Sequence, residues 1–226
     1  MSLVSPKSLA ATLDALNEAF FYERPLTNAE RREAARWIAG RQGLPGSYAE
    51  MFAPTENDFA TGMRFFTGET LPSSGGTAHV LGEEACRALI LLDVKEAAVQ
   101  DALRRATEGM LTRLGKERGA CRGTYCCGKC SVAYWRHLAV GGLDHAERRL
   151  AAAMKALKAR RQDDGRWRTY PFWYTMLALT EIALPAARRE LKYAAPACER
   201  ALKRRTEADP FAARRRALAE RALGAC

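Results

Sequence analysis

An all-α fold, stacked αα-hairpins forming an α/α-toroid-like arc, is predicted by three observations. Apolar residues recur at three- and four-residue spacing along almost the whole chain, the period of a helix that buries one face. Three short apolar segments end at Leu92-Asp93, Leu143-Asp144 and Leu184-Pro185, and each leads at once into a longer amphipathic one. The longer segments share a register: Val99, Leu150 and Leu191 hold one position, Ala102, Ala153 and Ala194 a second, Ala106, Leu157 and Cys198 a third. Successive units lie 51 and then 41 residues apart, and the excess of ten equals the length of a cysteine-rich insert, Cys121 to Cys130. A period of ~40 residues with two helices per unit describes hairpins that stack into a solenoid or ring.

The elements follow in order. Ser5-Pro6 opens a first helix with Leu9, Leu13, Leu16 and Phe20 on one face. Thr27 and Glu30 form a capping box, because the hydroxyl and the carboxylate satisfy each other's backbone donors. Trp37 and Ile38 mark the buried side of that second helix. Pro45, Pro54, Pro72 and the run from Ser73 to Gly76 interrupt the pattern, so short pieces and loops are expected from Gly43 to Gly76. Hairpins are expected over 83–115, 131–161 and 172–204, their second helices started by Asp93 with Glu96, Asp144 with Glu147, and Pro185. Asp209-Pro210 opens a last helix. The expected organisation is an N-terminal hairpin and irregular segment over 1–75, the repeat region over 76–205 and a C-terminal capping helix over 206–226, together one compact domain.

The 226 residues, 48% hydrophobic and 27% charged, are those of an ordinary globular protein. No apolar run approaches the ~20 residues of a membrane span, and no signal peptide is recognisable. The expectation is therefore a cytoplasmic protein, whose seven cysteines are free thiols or metal ligands rather than disulfides. The formal charge is +10, and 28 of the 36 basic residues are arginine. The arginine pairs are dispersed along the chain, as expected of solvated helix faces rather than of one nucleic-acid groove.

The stretch Asp164 to Leu179, DGRWRTYPFWYTMLAL, resembles the repeat of squalene (terpenoid) cyclases and protein prenyltransferases, in which an outer helix ends in Asp-Gly-x-Trp and an aromatic turn enters an inner helix. Lys129 to Trp135 is similar to the start of the inner helix that carries the zinc cysteine in protein prenyltransferases. The resemblance covers roughly residues 76 to 205 and implies the toroid architecture, with the loops before the inner helices facing a common cavity. At the family's zinc aspartate this chain has Gly128, and its zinc histidine falls near Tyr174. The acidic Asp-x-Asp-Asp of the cyclases has no counterpart, since Asp163-Asp164 lies in the structural turn. Farnesyl transfer and triterpene cyclisation do not carry over.

On that architecture the loops before the three inner helices bring His79, the cysteines and Tyr170 to one rim. Cys127-x-x-Cys130 lets two sulfurs reach one metal within a tight turn, and the helix N-terminus beyond favours thiolate. Cys126, with Cys121 as alternate, supplies a third ligand and His79 a fourth, the thiolate and imidazole set that zinc takes. An iron–sulfur cluster needs four cysteines, and the adjacent Cys126-Cys127 pair makes four simultaneous ligands awkward. Redox-active thiols are a further use of the same pair. His137 sits seven residues from Cys130, ~10 Å along the helix, too far to share the metal but placed to line the same pocket as a catalytic acid or base. The aromatic pocket residues are Tyr134, Tyr170, Trp173 and Tyr174.

Two functions fit these features. One is an enzyme-like protein with a zinc or thiol site at the rim of an aromatic-lined cavity and a small, partly apolar ligand as substrate. The other is a basic αα-repeat module that binds nucleic acid or protein and uses the cysteines as a structural clip. An arc of about four hairpins leaves an apolar end face, so capping by the terminal helices or a homodimer is expected.

Overall fold

The computed structural model describes residues 3–72, 74–116, 123–203 and 209–226. Among them run ten α-helices and one two-stranded sheet, and the chain divides into two compact units.

The first unit comprises Met1–Arg64, Thr70–Ala120 and Val140–Asp144. It holds α1 (Leu9–Phe21), α2 (Asn28–Ala39), α3 (Glu56–Thr61), the strands β1 (Met63–Arg64) and β2 (Thr70–Leu71), α4 (Ser74–Leu92) and α5 (Ala97–Lys116). The strands pair antiparallel, Met63 opposite Leu71. The central helix is α4, against which α1, α2, α3 and α5 all pack. Every residue of it from Thr77 to Leu89 is buried, the mark of a helix enclosed on all sides. Its polar members are therefore partnered: Arg87 donates to Asn17 of α1 at 3.0 Å, and Asn17 donates to Glu84 at 3.2 Å.

Asp58, 1% exposed, ties two helix starts together. It completes the capping box of α3 with Thr55 and also accepts from the amides of Leu9 and Ala10 and the hydroxyl of Ser8. Ser8, not Ser5, is thus the N-cap of α1. The Thr27–Glu30 capping box of α2 forms as expected.

The second unit comprises Phe65–Glu69, Cys121–Ala139 and His145–Cys226. It holds α6 (Gly128–Ala139), α7 (Ala146–Lys158), α8 (Phe172–Glu181), α9 (Pro185–Lys203) and α10 (Ala212–Gly224). Within it α6 packs on α7 and α8, α9 on α7 and α8, and α10 on α8 and α9. Pro185 is the first residue of α9, where its missing amide hydrogen is no loss. The turn before α8 closes as Asp164 accepts from the amide of Arg166 at 3.0 Å and Trp167 is buried, its indole donating to Glu190 at 3.0 Å.

The shared register is buried in all three long helices. Val99, Leu150 and Leu191 are 1%, 6% and 2% exposed, and the alanine position and the third position are buried as well. Three expectations change. The inner helix of the first hairpin begins at Ser74 rather than Glu83, since glycines in a first turn interrupt no established ladder. The boxes at Asp93 and Asp144 do not form: Asp93 adopts a left-handed conformation and pairs with Lys95, while the N-cap of α7 is left-handed His145, with no side-chain cap. The arginine pairs are not all solvated, because Arg149 is buried and donates to the Tyr134 hydroxyl at 3.3 Å.

Burial pushes the Cys198 thiol up to about 11 from an ordinary value near 9. The folded chain holds that proton while the unfolded chain releases it, so stability is fully present below pH ~9 and falls as pH rises towards 11. Urea unfolding across that window is expected to lose on the order of 1–2 kcal/mol, and Cys198→Ala to flatten the slope. An unchanged slope in the variant would refute the assignment. Among the described residues, no helix is long and apolar enough to cross a membrane.

Candidate metal centre

In the second unit, residues 123–127 lead directly into α6, and two glycines fix the path of that loop. A Cβ on Gly123 would lie 1.8 Å from the backbone nitrogen of Ala153 in α7, and one on Gly128 would lie 2.1 Å from the carbonyl oxygen of Thr169. Backbone therefore meets backbone at both ends of the cysteine run. The Trp135 indole donates to the Gly123 carbonyl at 2.5 Å. Ser131 accepts from the Tyr125 amide at 2.8 Å and donates to the Cys127 carbonyl at 2.7 Å, lacing the loop to the first helical turn.

The sulfurs converge on Cys130. Its amide donates to Cys127 Sγ at 3.5 Å, so Cys127 acts as a thiol cap on α6. The sulfurs of Cys126 and Cys130 lie within 4.8 Å of each other. Cys130 is buried, whereas Cys126 and Cys127 are exposed. Burial first, and then the hydrogen bond with Cys126 and the neighbouring sulfur charges, hold the Cys130 thiol far above its ordinary range. A second negative charge in this cluster is unfavourable on its own, whereas a divalent cation reverses the sign of the interaction. Cys121, the alternate ligand, lies outside the described residues.

In the first unit, His79 is buried near the start of α4. Its Nε2 lies 3.3 Å from Glu83 Oε1, one helical turn on. Its ring stacks on Tyr48, centroids 4.5 Å apart and planes at 25°, and Arg113 donates to the Tyr48 hydroxyl at 3.1 Å. A proton on Nε2 directed at Glu83 leaves the lone pair on Nδ1, the tautomer that a carboxylate partner imposes on a ligating histidine.

The remaining predicted residues separate by environment. His137 is fully buried in α6. Tyr134 and Tyr174 are core: Tyr174 stacks on Phe65 at 3.9 Å and lies beneath the Arg136 guanidinium. Tyr170 is half-buried, stacks on Trp135 at 5.3 Å and hydrogen-bonds Ser131 beside Cys127, with burial raising its hydroxyl pKa. Trp173 borders a separate 450 Å³ cavity within the second unit.

Two residues that sequence reasoning passed over matter here. Glu83 was visible as a carboxylate four residues after His79. Glu69 had no local signal: its two oxygens accept from the amides of Trp173 and Tyr174 at 2.9 and 2.8 Å, capping α8 from 104 residues upstream. Burial raises its carboxyl pKa, and these bonds with that from Thr67 oppose the rise. Comparison with protein-family models, with curated proteins and with solved structures gives no match.

Proposed function

We propose that this is a zinc-binding protein in which Cys126 and Cys130 of the second unit ligate the ion. The observation that carries the reading is the pair of thiols within 4.8 Å at the start of α6, in a loop held by glycine contacts at both ends. Thiolates are donors that zinc prefers. An exposed Cys126 beside the buried Cys130 matches a site open to water or substrate rather than a closed structural one. Cys127, its sulfur facing the Cys130 amide, orients the turn.

The wider reading is a prenyltransferase- and cyclase-like toroid arc whose site works on a small, partly apolar substrate. It is supported by the register buried alike in α5, α7 and α9 and by the Asp164–Trp167 turn ahead of α8. When bound, the zinc would act as a Lewis acid or activate a thiol or water at its open position. The chain's own contribution is to hold the ligands and to keep the cluster half-shielded from solvent.

The test is metal content together with thiol titration. Freshly purified protein is expected to carry one zinc per chain. Cys126→Ser, an exposed position, should lose it while keeping the helical circular dichroism. Metal-free wild type whose Cys126 reacts with a thiol reagent equally fast with and without added zinc would overturn the proposal.

A further inference from the structure

The 450 Å³ cavity of the second unit lies among the second half of α9, the first half of α10, the Asp164–Arg166 turn and Trp173 at the start of α8. Its existence follows from the sequence. Ala197 and Ala201 of α9 and Ala212 and Ala219 of α10 line it, small side chains that leave its volume open. The volume lies within the ~300–1,000 Å³ typical of small-molecule sites.

Its chemistry is cationic over an apolar floor. Four guanidinium groups, Arg166, Arg200, Arg215 and Arg216, border it against the single carboxylate of Asp164. They are held in place, three of them by carboxylates: Arg215 by Asp209, Arg216 by Glu220 and Arg166 by Asp164 at 3.7 Å. Arg215 donates to Asp209 and to the Thr67 carbonyl, both at 2.7 Å. Arg200 Nη2 donates to the Asp164 carbonyl at 2.5 Å. Arg166 lies 4.8 Å over the Phe172 ring, and Arg216 is 3.2 Å from Glu220. A guanidinium has five N–H donors, and these contacts occupy one or two of each. The N-terminus of α10 borders the cavity at Ala212, where the Asp209 carboxylate accepts from the Phe211 amide at 2.9 Å. Trp173 and Leu202 supply apolar wall.

We propose that this cavity binds a small organic anion, a phosphate monoester or carboxylate head on an apolar body, with Arg200, Arg215 and Arg216 on the head and Trp173 against the body. Fork-like guanidinium donors suit planar and tetrahedral oxyanions, and the +10 charge of the chain steers anions inward. The proposal stands apart from the zinc reading, because none of the proposed zinc ligands borders this cavity.

The experiment is calorimetric titration of the full chain with phenyl phosphate, benzoate, inorganic phosphate and benzyl alcohol. Phenyl phosphate is expected to bind at least about tenfold more tightly than inorganic phosphate or benzyl alcohol, with affinity falling as salt rises. Arg200→Gln and Arg216→Gln alter exposed side chains, so they should leave the unfolding midpoint in place while weakening phenyl phosphate about tenfold each. Trp173→Ala should bring phenyl phosphate down to the inorganic phosphate level. No binding of phenyl phosphate or benzoate, or binding indifferent to both arginine variants, would overturn the proposal. So would equal affinity for phenyl and inorganic phosphate.

Discussion

Replacing Glu181 with alanine is expected to cost the fold about 3–5 kcal/mol. The Arg136 side chain, 2% exposed in the last turn of α6, meets the Glu181 carboxylate at the end of α8 through two parallel bonds, Nε to Oε2 at 2.8 Å and Nη2 to Oε1 at 3.0 Å. The Tyr174 ring lies 5.6 Å below the guanidinium. Removing the carboxylate takes away the two-point counter-charge that Glu181 gives a buried cation, and the desolvation already incurred by Arg136 is less well offset. The paired variant Arg136→Met with Glu181→Leu should recover most of the loss, since apolar side chains of similar volume avoid the desolvation altogether. Urea unfolding of the two single variants and the double variant closes the cycle. A cost below ~1 kcal/mol for Glu181→Ala would show that solvent, through the partly exposed Glu181 end, already screens the pair.

The same ion pair shows why part of the structure was legible in the sequence and part was not. What was legible is local or periodic. The Thr27–Glu30 box, Pro185 at the head of α9 and the three-fold register ending at Cys198 each depend on residues within a few turns of one another. What was not legible depends on partners far along the chain. Asp58 caps α1 from 49 residues away and Glu69 caps α8 from 104. Nothing in the sequence near Leu9 or Trp173 announces either. Asp93 and Asp144 carried the right box spacing, but the chain turns through left-handed residues, Asp93 directly after α4 and His145 directly before α7, and the next helix starts beyond the expected cap.

The cysteine cluster divides in the same way. Its location and helix-start position could be read from CRGTYCCGKC. The separate uses of its sulfurs could not, because α6 starts at Gly128 and turns Cys127 onto the Cys130 amide. Arg149 misled for a physical reason: a doublet of arginines on an amphipathic helix places one of the two near the boundary of its buried face. There the hydroxyl of Tyr134 receives it.

The glycines that seat the cysteine loop carry the other large expectation. Gly128→Ala and Gly123→Ala add one methyl group each, yet both should destabilise the protein by about 3 kcal/mol or more. The added carbon would stand 2.1 Å from the Thr169 carbonyl in the first case and 1.8 Å from the Ala153 nitrogen in the second. In neither case can a flexible side chain swing aside, because the obstacle is backbone belonging to the turn before α8 or to α7. Relief requires moving the loop, which also draws Cys126 away from Cys130. On the proposed zinc site, stability and metal binding should therefore fall together, weaker zinc binding appearing even under conditions where the variant remains folded. Gly115→Ala provides the control of opposite sign. Nothing lies within 4 Å of its added carbon, in the last turn of α5, and alanine in a helix gains about 0.5–1 kcal/mol over glycine. Thermal unfolding and metal analysis of the three variants make the comparison. If Gly128→Ala unfolds within ~1 kcal/mol of the parent and binds zinc as the parent does, the close backbone packing does not seat the cysteines.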